Sequence, residues 1–430
     1  MMKLGTAQID ITPQPGVELS GFAARVQPST GVLDKLFAKV LFIETEQTKL
    51  LWIHCDLIGF DRAIVLEFRR WAHEKLGLGT HQVMLSATHT HSGPATIHLR
   101  ECGEYDSVYV EFLQKSFRRA AEIAVAQGEV VDLTCVEGQL PLAVDRRQTV
   151  TPHTDPRVAA IGFRRSNGSF VAVLVNYALH PVALGSKNRY ISADIFGEAA
   201  KQLSRELLGR PLVLLTNGAC GNLNPPAENV SFEQVKLWGR QIAEAVQPLL
   251  LAGKINFQPT LQLLNRNLKL PLETLDANGI NHFADEALRN AAALAEWGDR
   301  YRRVVGHWRT TLLEQIGKND ASQHEAELFG VLLDEVIFVG ANAEMFSEFT
   351  DWLREKSRRQ IYLVGYANGD VGYLPTRAAY AEGGYEVDVA HLFYGGFRLR
   401  AGGLEQLAAA AQDLVRELEA KFSNDMVQNK

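Results

Sequence analysis

The sequence predicts an α/β fold: a mixed β-sheet core with helices packed on it and a metal site at the carboxyl ends of the strands. Three observations carry that expectation. Short apolar, β-branched runs recur along the 430 residues and alternate with longer helical patterns, the sequence form of sheet and helix in alternation. Apolar residues make up 46% and charged residues 22%, as in globular chains, which excludes a disordered or collagen-like polymer. Several of the apolar runs end in polar clusters, and in open α/β sheets ligands sit beyond the carboxyl ends of strands.

The strands are expected at 37–43, 50–54, 82–86, 158–163, 170–177, 211–215, 335–340 and 360–365. Asp61 can cap a helix whose face is Ile64, Val65, Phe68, Trp71 and Ala72. Ser231 with Gln234 forms a capping box ahead of Val235, Trp238, Ile242 and Val246. Leu404, Leu407, Ala411, Leu414 and Leu418 make a stripe short enough to pack on its own domain in preference to forming a dimer seam. From 259 to 329 the texture changes to a polar β-like stretch and then helical segments carrying Trp297, Tyr301, Trp308 and Leu312, read as an insertion or lobe. Neither a linker nor an internal repeat stands out, so residues 1–430 read as one catalytic unit with that insertion.

Charge and cysteine usage exclude further classes. With 44 Lys plus Arg against 50 Asp plus Glu, the net charge of −6 argues against nucleic acid as a partner. Every apolar run is broken well before the roughly 18–20 residues of a membrane span. The start lacks the apolar stretch of a secretion signal, so the chain as written reads as cytoplasmic. The four cysteines, Cys55, Cys102, Cys135 and Cys220, form no CxxC pair and no disulfide framework.

Polar residues gather at five strand ends. They are Ala87-Thr88-His89-Thr90-His91-Ser92-Gly93-Pro94, Ala178-Leu179-His180-Pro181, Thr216 through Pro225, Ala341-Asn342-Ala343-Glu344, and Tyr366 through Tyr373. Residues two apart on an extended chain face the same way, so His89 and His91 can address one metal or a metal and its substrate. His180 occupies a like position, and a carboxylate such as Glu344 would complete a nitrogen and oxygen set suited to Zn²⁺. Asp56 and Asp194 are alternative ligands or supports, with helix capping the plainer role, and His54 reads as a buried hydrogen-bonded histidine. The turn at 217–224 matches neither a phosphate loop nor a GxSxG elbow and is expected to bring amides near a substrate oxygen. Cys220 lacks a cationic neighbour in sequence to make it a nucleophile. The glycine-rich segment 383–386, with Tyr394-Gly395-Gly396, reads as a flap whose tyrosines line the pocket or as an ordinary exposed turn.

These residues resemble the signature of the neutral, non-lysosomal ceramidases. Beside the 87–94 motif, Asp10-Ile11-Thr12-Pro13, Ser20-Gly21-Phe22-Ala23, Asn176 through Pro181, Gly221-Asn222-Leu223-Asn224-Pro225 and Tyr373 through Tyr385-Glu386 have counterparts there, in the family's order. The resemblance implies a zinc amidohydrolase that cleaves the N-acyl bond of a sphingolipid-like amide. Its ligands would be His89, His180, Glu344 and Tyr373. It implies that His91 faces the substrate, Arg146 holds a polar group and Tyr385 supports the oxyanion. The expected chemistry is attack by a zinc-activated water, with His91 moving the proton.

Asn224 stands where the family carries a serine, which removes any hydroxyl nucleophile at that position. The lack of a secretion signal and of a terminal accessory domain is expected to shift the substrate from ceramide itself. A metal-dependent esterase or a lactam or peptide amidase on a soluble substrate is therefore the alternative, and a non-catalytic binding protein the third reading. The partner expected is a small or lipid-like N-acyl compound.

Overall fold

The computed structural model describes residues 1–147, 151–290, 298–316 and 322–428. Three sheets are each built by the same local logic. In the first, β1 (Lys3–Asp10), β2 (Phe37–Glu44) and β3 (Lys49–Cys55) run antiparallel; helix α1 (Arg62–Leu76) then returns the chain so that β4 (Val83–Ala87) pairs parallel to β3. A parallel neighbour requires such a crossover. Helix α2 (Ser107–Ala126) buries Leu113, Phe117, Ala120 and Ala121.

The second sheet repeats the pattern. β5 (Asp132–Gln139), β6 (Arg157–Arg164) and β7 (Phe170–Tyr177) are antiparallel, and β8 (Leu212–Asn217) joins parallel to β7 after α3 (Asp194–Glu206). Helix α4 (Phe232–Ala252) follows, its start held by Ser231 Oγ accepting from the Gln234 N–H. In the third sheet β9 (Leu261–Pro271), β10 (Gln323–Leu333) and β11 (Val336–Ala341) are antiparallel, and β12 (Gln360–Val364) lies parallel to β11 after the short helix Glu348–Arg354.

The three sheets face one interior. Trp52 and Met84 of the first, Leu174 and Leu214 of the second, and Phe338 and Tyr362 of the third are all buried in one apolar cluster. Polar side chains stitch the sheets together inside it, which buried polar groups must do to avoid a desolvation cost. The His54 ring nitrogens lie 2.9 Å from Ser86 Oγ and 2.9 Å from the Leu215 carbonyl. Burial pushes this imidazole down to about 3, so it serves as a neutral strut, as its apolar setting in the sequence suggested. Asn176 Nδ2 donates to the Leu363 carbonyl at 2.7 Å, and the Leu85 N–H donates to Asn368 Oδ1 at 2.9 Å.

The segment 259–329 has two parts. Its ends are β9 and the first part of β10, paired from Leu261↔Leu333 to Pro271↔Gln323, and so belong to the third sheet. Between them α5 (Ala277–Asn290) and α6 (Gly298–Gln315) leave the sheet and bury Tyr301, Trp308 and Leu312; Trp297 lies outside the described residues. Helix α7 (Gly403–Gln428) turns Leu404, Leu407, Ala411, Leu414 and Leu418 onto the third sheet, in one cluster with Leu328 and Leu332. Asp61 does not act as the expected side-chain cap of α1; its carboxylate accepts from the His98 N–H at 3.2 Å. Among the described residues, no helix is long and apolar enough to cross a membrane.

Candidate metal centre

Each sheet delivers one residue of the centre from the end of a parallel-paired strand. The chain leaves β4 into His89, β7 into His180 and β11 into Glu344. Their ligating atoms lie within 4.8 Å of one another, and this is the group of His, Cys, Asp or Glu side chains among the described residues arranged to hold a metal ion. All three are buried.

The imidazoles are oriented by backbone. His89 Nδ1 lies 2.6 Å from the Ile58 carbonyl and His180 Nδ1 lies 2.7 Å from the Cys220 carbonyl, which turns both Nε2 atoms towards Glu344. Glu344 Oε2 is 3.4 Å from His89 Nε2 and 3.1 Å from His180 Nε2. A carbonyl on one ring nitrogen that frees the other is the usual support of a metal-ligating histidine. Burial tends to raise the Glu344 carboxyl, but His89 and His180 hold it down at about 2, ionised. Burial brings His89 down to about 4, and burial with His89 and His180 nearby carries His91 well below the ordinary range. Burial tends to lower His180, but Cys220 and Glu344 raise it to about 10, so Zn²⁺, which takes neutral imidazoles beside an ionised carboxylate, would displace the His180 proton on binding.

His91 stands next to the triad, its ring centroid 4.8 Å from that of His89. Both its ring nitrogens are shielded from water and have no protein partner. Buried polar atoms without partners point to a bound group. The Arg25 guanidinium fixes the His91 carbonyl at 2.7 Å, and Phe22 packs edge-on at 4.9 Å. Gly21, at φ +99°, lets this turn pass directly over the ring; an added Cβ would stand 2.4 Å from His91 Cγ. Gly21→Ala is expected to displace the ring and lower kcat about 10²-fold, the scale of an ångström's misplacement, with metal content retained. Metal analysis beside steady-state kinetics checks it.

Arg146 joins the remaining residues. Its Nε donates to Glu386 Oε1 at 2.8 Å, Nη1 to Asn224 Oδ1 at 3.4 Å, and Nη2 to the Gly221 carbonyl at 2.9 Å and the Tyr373 hydroxyl at 3.0 Å. Four of the five guanidinium N–H groups thus hold protein partners. Tyr385 is half-exposed, its ring 5.9 Å from that of Tyr373. Arg146, Arg147, Asn224, Tyr385 and Glu386 line a cavity of about 550 Å³.

Tyr394, one of the tyrosines expected to line the pocket, and two residues with no role assigned from the sequence, Tyr366 and Asp370, complete the surroundings. The Tyr394 hydroxyl donates to Glu344 Oε1 at 2.6 Å and lies 3.0 Å from Asp370 Oδ2. The Tyr366 hydroxyl lies 3.2 Å from His180 Nε2 and 3.3 Å from Glu344 Oε2. Tyr366 and Asp370 stand in a strand-end run, but nothing in residue spacing shows which ring turns inward. In the turn at 217–224 the amides of Gly218, Gly221 and Leu223 are spent on the carbonyls of Tyr177, Met345 and Cys220, so these three are not the ones to meet a substrate oxygen. Asp56 serves the Phe37 N–H and Lys39, and Asp194 serves the Leu184 and Ile195 N–H groups, both apart from the triad.

Residues 2–142 match the family model described as neutral/alkaline non-lysosomal ceramidase, N-terminal. A protein named neutral ceramidase from Pseudomonas aeruginosa is 24% identical over 249 residues, covering 52% of this chain and 37% of that protein. A neutral ceramidase of Drosophila melanogaster is 23% identical over 230 residues, covering 47% and 32%. The aligned region therefore spans only about a third of these relatives' length. The crystal structure of the Pseudomonas aeruginosa neutral ceramidase superposes with a TM-score of 0.74 at 18% identity, over 96% of this chain and 73% of that one. The resemblance is thus to the neutral ceramidase family, carried by the family model over the N-terminal third, by sequence relatives over about half of the chain and in fold by nearly all of it.

Proposed function

We propose that this protein is a zinc-dependent hydrolase that cleaves an N-acyl amide bond, the kind of bond implied by the name of its relatives. One observation carries the reading: two backbone-oriented imidazoles and one ionised carboxylate converge beside a third, unpartnered imidazole.

Bound zinc would polarise the scissile carbonyl and make water acidic enough to serve as nucleophile near neutral pH. The protein supplies the rest. His91, neutral and free at both nitrogens, takes a proton at one and gives it to the leaving amine nitrogen, work worth about 10²–10⁴ in rate. The Tyr385 hydroxyl and the remaining N–H of Arg146 would face the oxygen on which charge develops. Asn224 orients Arg146 through its carbonyl oxygen while its amide donates to Glu228 at 2.8 Å, so the residue positions the guanidinium.

Tyr385→Phe is expected to lower kcat about 10²–10³-fold with KM little changed, the cost of one oxyanion donor. His180→Ala is expected to lose zinc and amide cleavage together; retained zinc with full activity would contradict the assignment.

The cavity beside Arg146 favours keeping a second reading in the same assay. Its lining of arginine, glutamate, asparagine and tyrosine suits a polar substrate portion better than an alkyl chain, which gains about 0.8 kcal/mol per CH₂ only against apolar walls. An esterase or amidase acting on a soluble substrate would cleave short polar acyl compounds faster than ceramide.

A further inference from the structure

We infer that His153 is a positioning residue for Arg146: as an imidazolium gripped between Ser347 and Asp351, it fixes the main chain that carries the arginine, and the hold loosens when the ring loses its proton. The inference rests on the hydrolase reading above, in which Arg146 faces the developing oxyanion, and adds to it a residue that acts through the arginine alone.

His153 closes a small framework under Arg146. Its N–H donates to Asp145 Oδ2 at 3.0 Å, while Asp145 Oδ1 accepts from the Arg147 N–H at 3.0 Å. Its carbonyl accepts from Asn222 Nδ2 at 3.4 Å and from Ser347 Oγ at 3.3 Å. Asn222 in turn takes the Ser347 N–H on Oδ1 at 2.9 Å and the Arg146 N–H on its carbonyl at 2.9 Å. The neighbours of Arg146 on both sides, and its own N–H, are thus tied to His153 directly or through one further residue.

The surroundings set the charge of the ring. Nδ1 lies 2.7 Å from Ser347 Oγ and Nε2 lies 3.0 Å from Asp351 Oδ2. A carboxylate oxygen only accepts, so Nε2 carries a proton. The single hydroxyl proton of Ser347 goes to the His153 carbonyl, so Nδ1 carries a proton as well. Asp351 and Glu348 of the short helix, Asp155 and Asp145 stand around the ring, with Arg157 paired to Asp351 and Arg147 beside Glu348 as the other cations. The hydrogen bond from Asp351, helped by Glu348 and Asp155, raises the imidazole above its ordinary 6.5 against the pull of burial. The His153 hydrogen bond and Arg157 hold the Asp351 carboxyl down at about 2. When Nδ1 gives up its proton it becomes an acceptor for the Ser347 hydroxyl, and the His153 carbonyl loses that donor. Ser347 is fully buried, so no bulk water replaces it.

The test compares the native protein with His153→Gln, which keeps hydrogen-bonding groups but no charge, both loaded with zinc. At pH below about 6.5 the variant is expected to show a kcat about ten-fold lower at equal zinc content, a fraction of the cost of losing an oxyanion donor. A raised imidazole holds below its folded value and lets go above it, so the gap is expected to narrow as pH rises through that value. In an Arg146→Ala background, His153→Gln is expected to cost nothing further. A second arm needs no turnover: the Arg146 Nε–H resonance, identified by its loss in Arg146→Ala, is expected to shift as His153 titrates in the native protein and to stay fixed in His153→Gln. Asp351→Asn is expected to move that titration to lower pH, and it replaces His153→Gln should the latter not fold. A gap independent of pH, an undiminished cost in the Arg146→Ala background, or an Arg146 signal indifferent to His153 would overturn the proposal. Protein that cleaves no amide while its Arg146 signal still follows His153 would instead overturn the hydrolase reading and leave the positioning role standing.

Discussion

Replacing Glu344 by alanine is expected to remove zinc binding and lower kcat/KM by about three orders of magnitude or more, the scale of an electrostatic site that has lost its metal. Glu344 Oε2 lies within 3.4 Å of both imidazole Nε2 atoms, and Oε1 takes the Tyr394 hydroxyl, so the carboxylate is the hub of the centre. The two histidines left behind come from different sheets and retain their backbone carbonyl contacts. The fold therefore survives, and far-UV circular dichroism beside metal analysis separates loss of the site from loss of structure. Glu344→Gln keeps the shape but offers no anionic oxygen, and it should resemble alanine in zinc content.

The largest effect on stability is expected far from the metal, at Glu327. This carboxylate of β10 is 3% exposed and accepts from Arg69 Nη2 at 2.7 Å and Nη1 at 2.9 Å, from Arg62 Nη1, and from Asn368 Nδ2 at 3.0 Å. Arg69, on α1, is 4% exposed. Glu327→Ala leaves a buried guanidinium without its anion, a loss of about 3–5 kcal/mol, which urea unfolding would show as a lower midpoint.

The pH dependence follows from the same contacts. Burial tends to raise the Glu327 carboxyl, but Arg69 and Arg62 hold it below its ordinary 4.5. A depressed carboxylate contributes stability that is complete above its unfolded value and is lost as pH falls through its folded value. The difference between native protein and Glu327→Ala should therefore be constant at neutral pH and narrow below about 4.5. Asn368 ties this network to β4, accepting from the Leu85 N–H at 2.9 Å while donating to Glu327.

The strands legible in the sequence are those with continuous apolar runs, such as Val336–Ala341 and Phe170–Tyr177, because they are buried on both faces. Lys3–Asp10 carries no continuous apolar run, and Leu261–Pro271 reads from the sequence only as a polar β-like stretch of an insertion, although both are sheet strands. Both are only partly buried, and residues such as Gln8, Asn265 and Arg266 interrupt the apolar pattern. The three-sheet assembly depends on contacts such as Trp52 against Phe338, which no local period encodes. In the site, His89, His180 and Glu344 were readable because polar residues at strand ends stand out against apolar runs. Tyr394 was readable only as a pocket-lining tyrosine beside a glycine pair, and Tyr366 was not: tyrosine is ordinary in a loop, and the positive φ that turns Tyr366 inward leaves no mark on the sequence.

The central claim is that the convergence of His89, His180 and Glu344 makes this chain a metal-dependent hydrolase of N-acyl bonds. Its most direct test is cleavage of a panel comprising ceramide, short polar N-acyl amides and the matching esters, before chelation, after chelation and after zinc is returned. The account predicts amide cleavage that disappears with the metal and returns with zinc. Zinc-loaded, folded protein that cleaves no member of the panel, or cleavage indifferent to complete removal of the metal, would contradict it.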